Sequence, residues 1–232
     1  MNNSVVEGGR ASVLPRDEII VAELTPKKVL AQADPISIGY VDLRTARYKE
    51  LGYIPDELGD DRDADDERSA HFVALTSGTA PDAKSNAVGS MRLIKRGDSD
   101  NQFALPIENL FKGSLETDTG SGTVEISRLI STGEQHIRVL RKLFRAALSH
   151  VLADGETTQT LAVVDVWFMD YLANKQMVPL RKITPAKKFD QYPSKQVGIE
   201  VDFPELYQRM QKIGEKTMSV VELDGGIKYY EE

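Results

Sequence analysis

The chain contains no cysteine. That removes disulfides, thiolate metal sites and a cysteine nucleophile together, so any chemistry must come from oxygen and nitrogen groups. Long apolar runs are missing as well. The longest, such as Leu161 to Val164 and Val166 to Met169, fall far below the roughly 20 residues that span a bilayer, so no membrane span is expected. The first twenty residues carry Glu7, Arg10, Arg16, Asp17 and Glu18 without a continuous apolar stretch. A secretory signal is therefore not expected, and the chain is read as cytoplasmic. Histidine is scarce: His71, His136 and His150 have no helical pairing and no HExxH setting, so no metal is assigned. Excess positive charge is lacking too, and a net charge of -7 argues against general nucleic-acid binding, which must displace counterions from phosphates.

What is present fits one mixed α/β domain. With 232 residues, 41% hydrophobic and 28% charged, the chain can fill a single core, read as 18–232 behind a mobile end at 1–17. Charge is distributed unevenly. Asp56, Glu57, Asp60, Asp61, Asp63, Asp65, Asp66 and Glu67 crowd one stretch, read as a solvated acidic loop. Arg138, Arg141, Lys142 and Arg145 form a basic stripe at helical spacing, and Arg181, Lys182, Lys187, Lys188 and Lys195 form a second basic group.

Periodicity places the elements. Glu18 to Leu24 reads as a strand and Ile38 to Leu51 as an amphipathic helix stopped by Gly52. His71 to Leu75 and Ala87 to Lys95 read as an antiparallel strand pair, Pro106 to Phe111 as a helical turn and Thr123 to Ile130 as a strand. Glu134 to Leu152 carries apolar residues at helical spacing and is the clearest helix. Then follow a strand at Gln159 to Trp167, a helix at Met169 to Asn174 and a strand at Met177 to Ile183. The tail reads as a strand at Gln196 to Val201, a proline-opened helix at Pro204 to Lys212 and a strand at Met218 to Leu223.

Two motifs fail on inspection. Asp61, Asp63 and Asp65 begin like a calcium loop, but Asp66 stands where glycine is needed and Phe72 where the closing glutamate belongs. Gly120 and Gly122 lack the Lys-Ser/Thr pair of a phosphate loop and read as a turn. The pattern that survives is Glu125, Ser127 and Arg128 interrupting an apolar strand, because charges in a core strand need partners or a task. Strict alternation would send Glu125 and Arg128 to opposite faces, so a shared site requires a bulge. The helix start that follows offers free N–H groups and partial positive charge to a phosphate.

Leu43-Arg44, Leu51-Gly52-Tyr53, Asp63 to Asp66, Ser69-Ala70-His71-Phe72, Gly89-Ser90-Met91-Arg92-Leu93 and Glu125-Ile126-Ser127-Arg128-Leu129, in this order, resemble autoinducer (acyl-homoserine lactone) synthases and long-chain N-acyl amino acid synthases of the GNAT superfamily. The resemblance covers about residues 38 to 183. It implies a three-layer α/β/α fold with a splayed mixed sheet, and an acyl donor carried on acyl carrier protein or coenzyme A, with no permanently bound cofactor. It further implies that Arg92 and Arg128 organise the site, that Arg44 and Asp63 or Asp66 lie on the acceptor side, and that Glu125 is the base. Tyr171 resembles the tyrosine that protonates the leaving thiolate. Two features depart from the pattern. Tyr53 stands where an indole is usual, which speaks against a homoserine lactone acceptor. The Gly-rich pyrophosphate signature is absent at Ser131 to Ile137, which speaks against coenzyme A as preferred donor.

Acyl transfer to an amine suits these residues. The amine must lose a proton, directly or through water, and Glu125 is the best-placed base. Backbone N–H groups freed by a bulge can hold the oxyanion, and without cysteine the amine attacks the thioester directly. Tyr53, Ser127, Trp167 and Phe168 are expected to contact substrate. The Arg138, Arg141, Lys142 and Arg145 stripe is a candidate dock for an acidic acyl carrier protein or the donor. Two other readings stand beside this one: a short-chain acetyltransferase of a small amine, and a non-catalytic acyl-binding module of the same fold.

Overall fold

The computed structural model describes residues 18–32, 34–76, 86–97, 104–175, 178–212, 218–223 and 227–231. The expected mobile end at 1–17 lies outside them. Along the chain come β1 (Ile19–Leu24), α1 (Pro26–Ala31), α2 (Pro35–Glu50), a 3-10 helix (Ala64–Arg68), β2 (Ser69–Thr76), β3 (Ala87–Lys95), α3 (Pro106–Leu110) and β4 (Thr123–Ser131). They are followed by α4 (His136–Asp154), β5 (Gln159–Asp165), α5 (Val166–Asn174), β6 (Leu180–Lys182), β7 (Lys187–Lys188), β8 (Lys195–Val201), α6 (Phe203–Lys212), β9 (Ser219–Leu223) and β10 (Ile227–Glu231). The strands make one mixed sheet in the order β6-β8-β5-β4-β3-β2-β1-β10-β9, with β7 paired to β8.

Period-two alternation gives this sheet two apolar faces. Ile19, Val21, Phe72, Met91 and Leu93 pack under Val139, Leu143 and Ala147 of α4, and α5 and α6 add Leu172 and Phe203. On the opposite face Ala22, Leu24 and Val73 meet Tyr40 and Val41 of α2, and Ile94 and Leu161 meet Ile107 of α3. The result is the expected three-layer α/β/α arrangement. Gly89 allows α4 its close approach, since a Cβ there would stand 2.3 Å from Cγ1 of Val139. At the start of α2, Asp34 accepts from the Ser37 N–H at 2.9 Å while Ser37 Oγ accepts from the Asp34 N–H at 3.2 Å, a reciprocal cap ahead of Pro35. Gly52, at φ 71°, turns the chain out of the helix.

Two features of β4 create the site. Its pairing with β3 steps from Ile130 opposite Ser90 to Ser127 opposite Arg92, three residues against two, and Arg128 in the gap has φ 53°. This is the bulge that the Glu125 and Arg128 spacing requires, and Ser90 Oγ donates to the Arg128 carbonyl at 2.9 Å. Parallel pairing of β4 with β5 covers Thr123 to Ile126 against Gln159 to Ala162 and then stops. Beyond that point β4 stays with β3, while β5 stays with β8 as far as Asp165 opposite Gln196. The two strands therefore part.

Several expected boundaries move. The strand expected to reach Trp167 ends at Asp165, and α5 begins at Val166 rather than Met169. An apolar run of this length fits strand and buried helix equally well, and Asp165 is the break. The strand expected from Met177 is the short β6; Met177 itself lies outside the described residues. Strand β10, helix α1 and the short β7 were not expected, although Gly225-Gly226 before Ile227 is a hairpin signal. The acidic stretch is not simply solvated: Asp61 and Asp66 are buried.

Candidate active site

A cleft of about 760 Å³ opens where β4 and β5 separate. Because Glu125 and Ser127 point to one face of the sheet and Ile126 to the other, the cleft passes through the sheet and has two unlike ends. One end is polar, with Asp63, Arg92, Glu125, Ser127, Arg128 and Asp165. The other is apolar, with Phe144 of α4, Phe168 and Leu172 of α5, and Ala162, Val164 and Val201 from the strands.

The polar end rests on a buried ion-pair network. Arg44, fully buried on α2, donates from Nε to Asp61 Oδ2 at 3.0 Å and from Nη1 to Asp66 Oδ1 at 3.1 Å. Arg92 on β3 donates from Nη1 to Asp63 at 2.6 Å and to Asp66 at 2.8 Å, and from Nε to Ser127 Oγ at 2.9 Å. Arg128 reaches Asp61 Oδ2 at 3.2 Å and Asp63 Oδ2 at 3.0 Å and lies over the Tyr48 ring. Three guanidinium groups thus meet three carboxylates. Desolvation pushes the Asp66 carboxyl up, but Arg44 and Arg92 outweigh it and hold the group down to about 2. For Asp61 desolvation wins over Arg44 and Arg128, and its carboxyl is raised.

His71 belongs to the frame of this network. Its Nε2 lies 3.0 Å from the Asp66 carbonyl, which can only accept, so Nε2 carries the proton and Nδ1 accepts the Tyr40 hydroxyl at 3.0 Å. Burial lowers the ring to about 4, so it is neutral near pH 7. Among the described residues no group of acidic or histidine side chains is arranged to hold a metal ion.

Glu125 stands apart. It is buried, and Oε2 accepts the Ile107 backbone N–H at 2.9 Å. No ion pair to it exists among the described residues. Burial raises its carboxyl to about 8, against the pull of the Ile107 N–H and Arg92. This is the range for a group that exchanges a proton near neutral pH.

At the mouth, Tyr53 donates its hydroxyl to Asp165 Oδ2 at 3.1 Å and meets the Tyr192 ring edge-on at 5.5 Å. Burial and then Asp165 push the Tyr53 phenol up, so it stays protonated. Ser194 Oγ and Gln196 Nε2 donate to Asp165 Oδ1, the latter at 2.6 Å.

Of the residues expected from sequence, Arg92, Glu125, Ser127, Arg128, Asp63, Tyr53 and Phe168 line the cleft, while Arg44 and Asp66 lie buried directly behind it. Trp167 and Tyr171 are not brought there. Trp167 is 64% exposed, and Tyr171 stacks on Phe168 outside the lining. The basic stripe is not one open face: Arg138 and Arg141 are exposed, Arg145 is half-buried and Lys142 is buried. Asp165, Tyr192 and Gln196 were missed. They lie at a strand end and in a loop, where periodicity carries no signal.

This architecture, a mixed sheet splayed at one parallel pair between two helical layers, is the GNAT fold. No protein-family model and no curated protein matches the chain. Solved structures do. A CoA-dependent acyl-homoserine lactone synthase, BjaI with MTA, is 15% identical over 85% of this chain and 90% of its own, with a TM-score of 0.62. The acyl-homoserine lactone synthase LasI is 16% identical over 81% and 91%, with a TM-score of 0.58. Escherichia coli ElaA is 16% identical over 80% and 100%, with a TM-score of 0.52. No helix of the described residues is long and apolar enough to cross a membrane.

Proposed function

We propose that the chain is an N-acyltransferase that moves a medium or long fatty acyl chain from acyl carrier protein or acyl-CoA to the amine of an amino acid or related small molecule. The observation that carries this reading is the two-ended cleft at the β4–β5 split, with Glu125 at its polar end.

The parting strands leave backbone N–H and C=O groups that a pantetheine arm, with its two amides, can pair with as an added strand. That places the thioester at the split, with its acyl chain toward Phe144, Leu172 and Val201. The amine nitrogen attacks the carbonyl carbon, its proton passes to Glu125 directly or through water, and N–H groups at the Arg128 bulge support the oxyanion. Collapse breaks the C–S bond as the C–N bond is retained. A thiol of pKa about 8.5 leaves as thiolate at neutral pH without a dedicated acid, which suits the position of Tyr171 outside the cleft. In this reading Arg92 and Arg128 hold Asp63 and Ser127 in place and shape the bulge.

Chain length follows from the apolar end. Each methylene buried there contributes about 0.8 kcal/mol, about fourfold in affinity, so long acyl donors outcompete acetyl donors. A short-chain acetyltransferase would leave that end unfilled. The exposed Arg138 and Arg141 fit an acidic carrier protein at the donor side.

The test is release of free thiol from acyl carrier protein and acyl-CoA of several chain lengths with pooled amines, and mass spectrometry of the products. Amine-dependent thiol with a new amide establishes the reaction. Saturable acyl binding without turnover, unaffected by Glu125→Gln, establishes the binding module instead.

A further inference from the structure

Four carboxylates line the cleft, and two of them are committed to guanidinium groups: Asp63 to Arg92 and Arg128, and Asp65 to Arg68 at 2.6 Å. Glu125 is held by a backbone N–H. Asp165 differs from the two ion-paired aspartates. Its oxygens accept from the Tyr53 hydroxyl, the Ser194 hydroxyl and the Gln196 amide, all neutral, and no ion pair to it exists among the described residues. Three donors leave one of about four acceptor positions on the carboxylate open. Tyr53 and Tyr192 stand beside it, and aromatic faces next to a carboxylate favour an organic cation.

We propose that Asp165 binds a second cationic group on the acceptor, so that the amine substrate is dibasic. Glu125 pairs with Leu161 across the strands, and Leu161, Val163 and Asp165 alternate onto the face that Glu125 shares. Asp165 therefore stands four residues beyond the Glu125 level, roughly 13 Å along the strand at about 3.3 Å per residue. With both carboxylates taken to project at their own strand levels, a charge-assisted hydrogen bond of about 2.8 Å at each end leaves roughly 7 Å between two nitrogens. That is the reach of an extended diamine or of the side chain of a basic amino acid. One nitrogen loses its proton toward Glu125 and is acylated; the other stays charged on Asp165. The assignment of which nitrogen reacts rests on the acyltransferase reading, whereas the binding preference does not.

Isothermal titration calorimetry on the full chain separates the two. Pentane-1,5-diamine should bind at least tenfold more tightly than pentylamine, and Asp165→Asn should abolish that difference. Equal affinity of the native chain for the two amines overturns the proposal, with no need of the variant. So does an Asp165→Asn variant that keeps the full diamine preference. Diamine preference without thiol release from any acyl donor upholds Asp165 as the cation site and removes the acyltransferase reading alone.

Discussion

The backbone N–H of Ile107 donates a 2.9 Å hydrogen bond to Oε2 of Glu125, joining the first turn of α3 to the middle of β4. This bond favours the carboxylate, yet burial outweighs it and the group is raised to about 8. A base must be deprotonated to act, so the amine-dependent rate should climb from pH 6 and level off above about 8. Glu125→Gln should lower the rate by about 10²–10⁴-fold and flatten that profile. Stability runs the other way. A carboxyl raised in the folded state favours folding below its unfolded value of 4.5, and that contribution is lost as pH rises through about 8. Glu125→Gln should therefore melt close to the native chain at pH 4.5 and above it at pH 9, which a pair of thermal scans will decide.

Asp66 is the structural counterpart. It takes hydrogen bonds from both Arg44 and Arg92 and is fully buried. Asp66→Ala leaves two guanidinium groups buried without this partner, and breaking a buried pair in this way costs about 3–5 kcal/mol. Urea unfolding should show a loss of that size. Its carboxyl is lowered to about 2, so the stability it supplies is present above 3.8 and disappears as pH falls through about 2. The native chain should thus lose stability across that interval, and the Asp66→Ala variant should lose less.

How much of this could be read from sequence depends on range. The bulge was legible because Glu125 and Arg128 sit three apart in an apolar strand, and alternation leaves no other way to bring both to one site. The long helix α4 and the β2–β3 pair were legible from local periodicity. The fate of the acidic stretch was not. Asp61 and Asp66 look like loop charges until Arg44 and Arg92 arrive from distant elements, and no local pattern records that meeting. Tyr171 lies outside the cleft lining, on a helix that begins three residues earlier than expected.

Arg128, in the left-handed region at φ 53°, allows backbone strain to be separated from lost contacts. Arg128→Ala and Arg128→Gly delete the same bonds to Asp61 and Asp63. They differ in what the backbone tolerates. A left-handed alanine costs about 1–2 kcal/mol, more than the about 0.4–1 kcal/mol by which glycine loosens the unfolded chain. Arg128→Gly should be the more stable variant in urea melts, and equal stability would mean that the bulge relaxes once the guanidinium is gone.

Val164 tests the direction of the acyl chain. It lies on β5 two residues past the last one paired with β4, lines the cleft and packs toward the α4 layer. Val164→Phe fills space at the apolar end while leaving Glu125, Asp63 and Asp165 untouched. Losing three or four buried methylenes at about 0.8 kcal/mol each predicts a fall of roughly 50-fold or more in kcat/KM for a dodecanoyl donor. An acetyl donor, which does not reach that end, should be turned over at nearly the native rate. A uniform loss across chain lengths would point to distortion of the β4–β5 split. An unchanged dodecanoyl rate would place the acyl chain toward the polar end, where the ion-paired Asp63 and Arg128 would have to be desolvated against it at a cost that burying methylenes cannot offset.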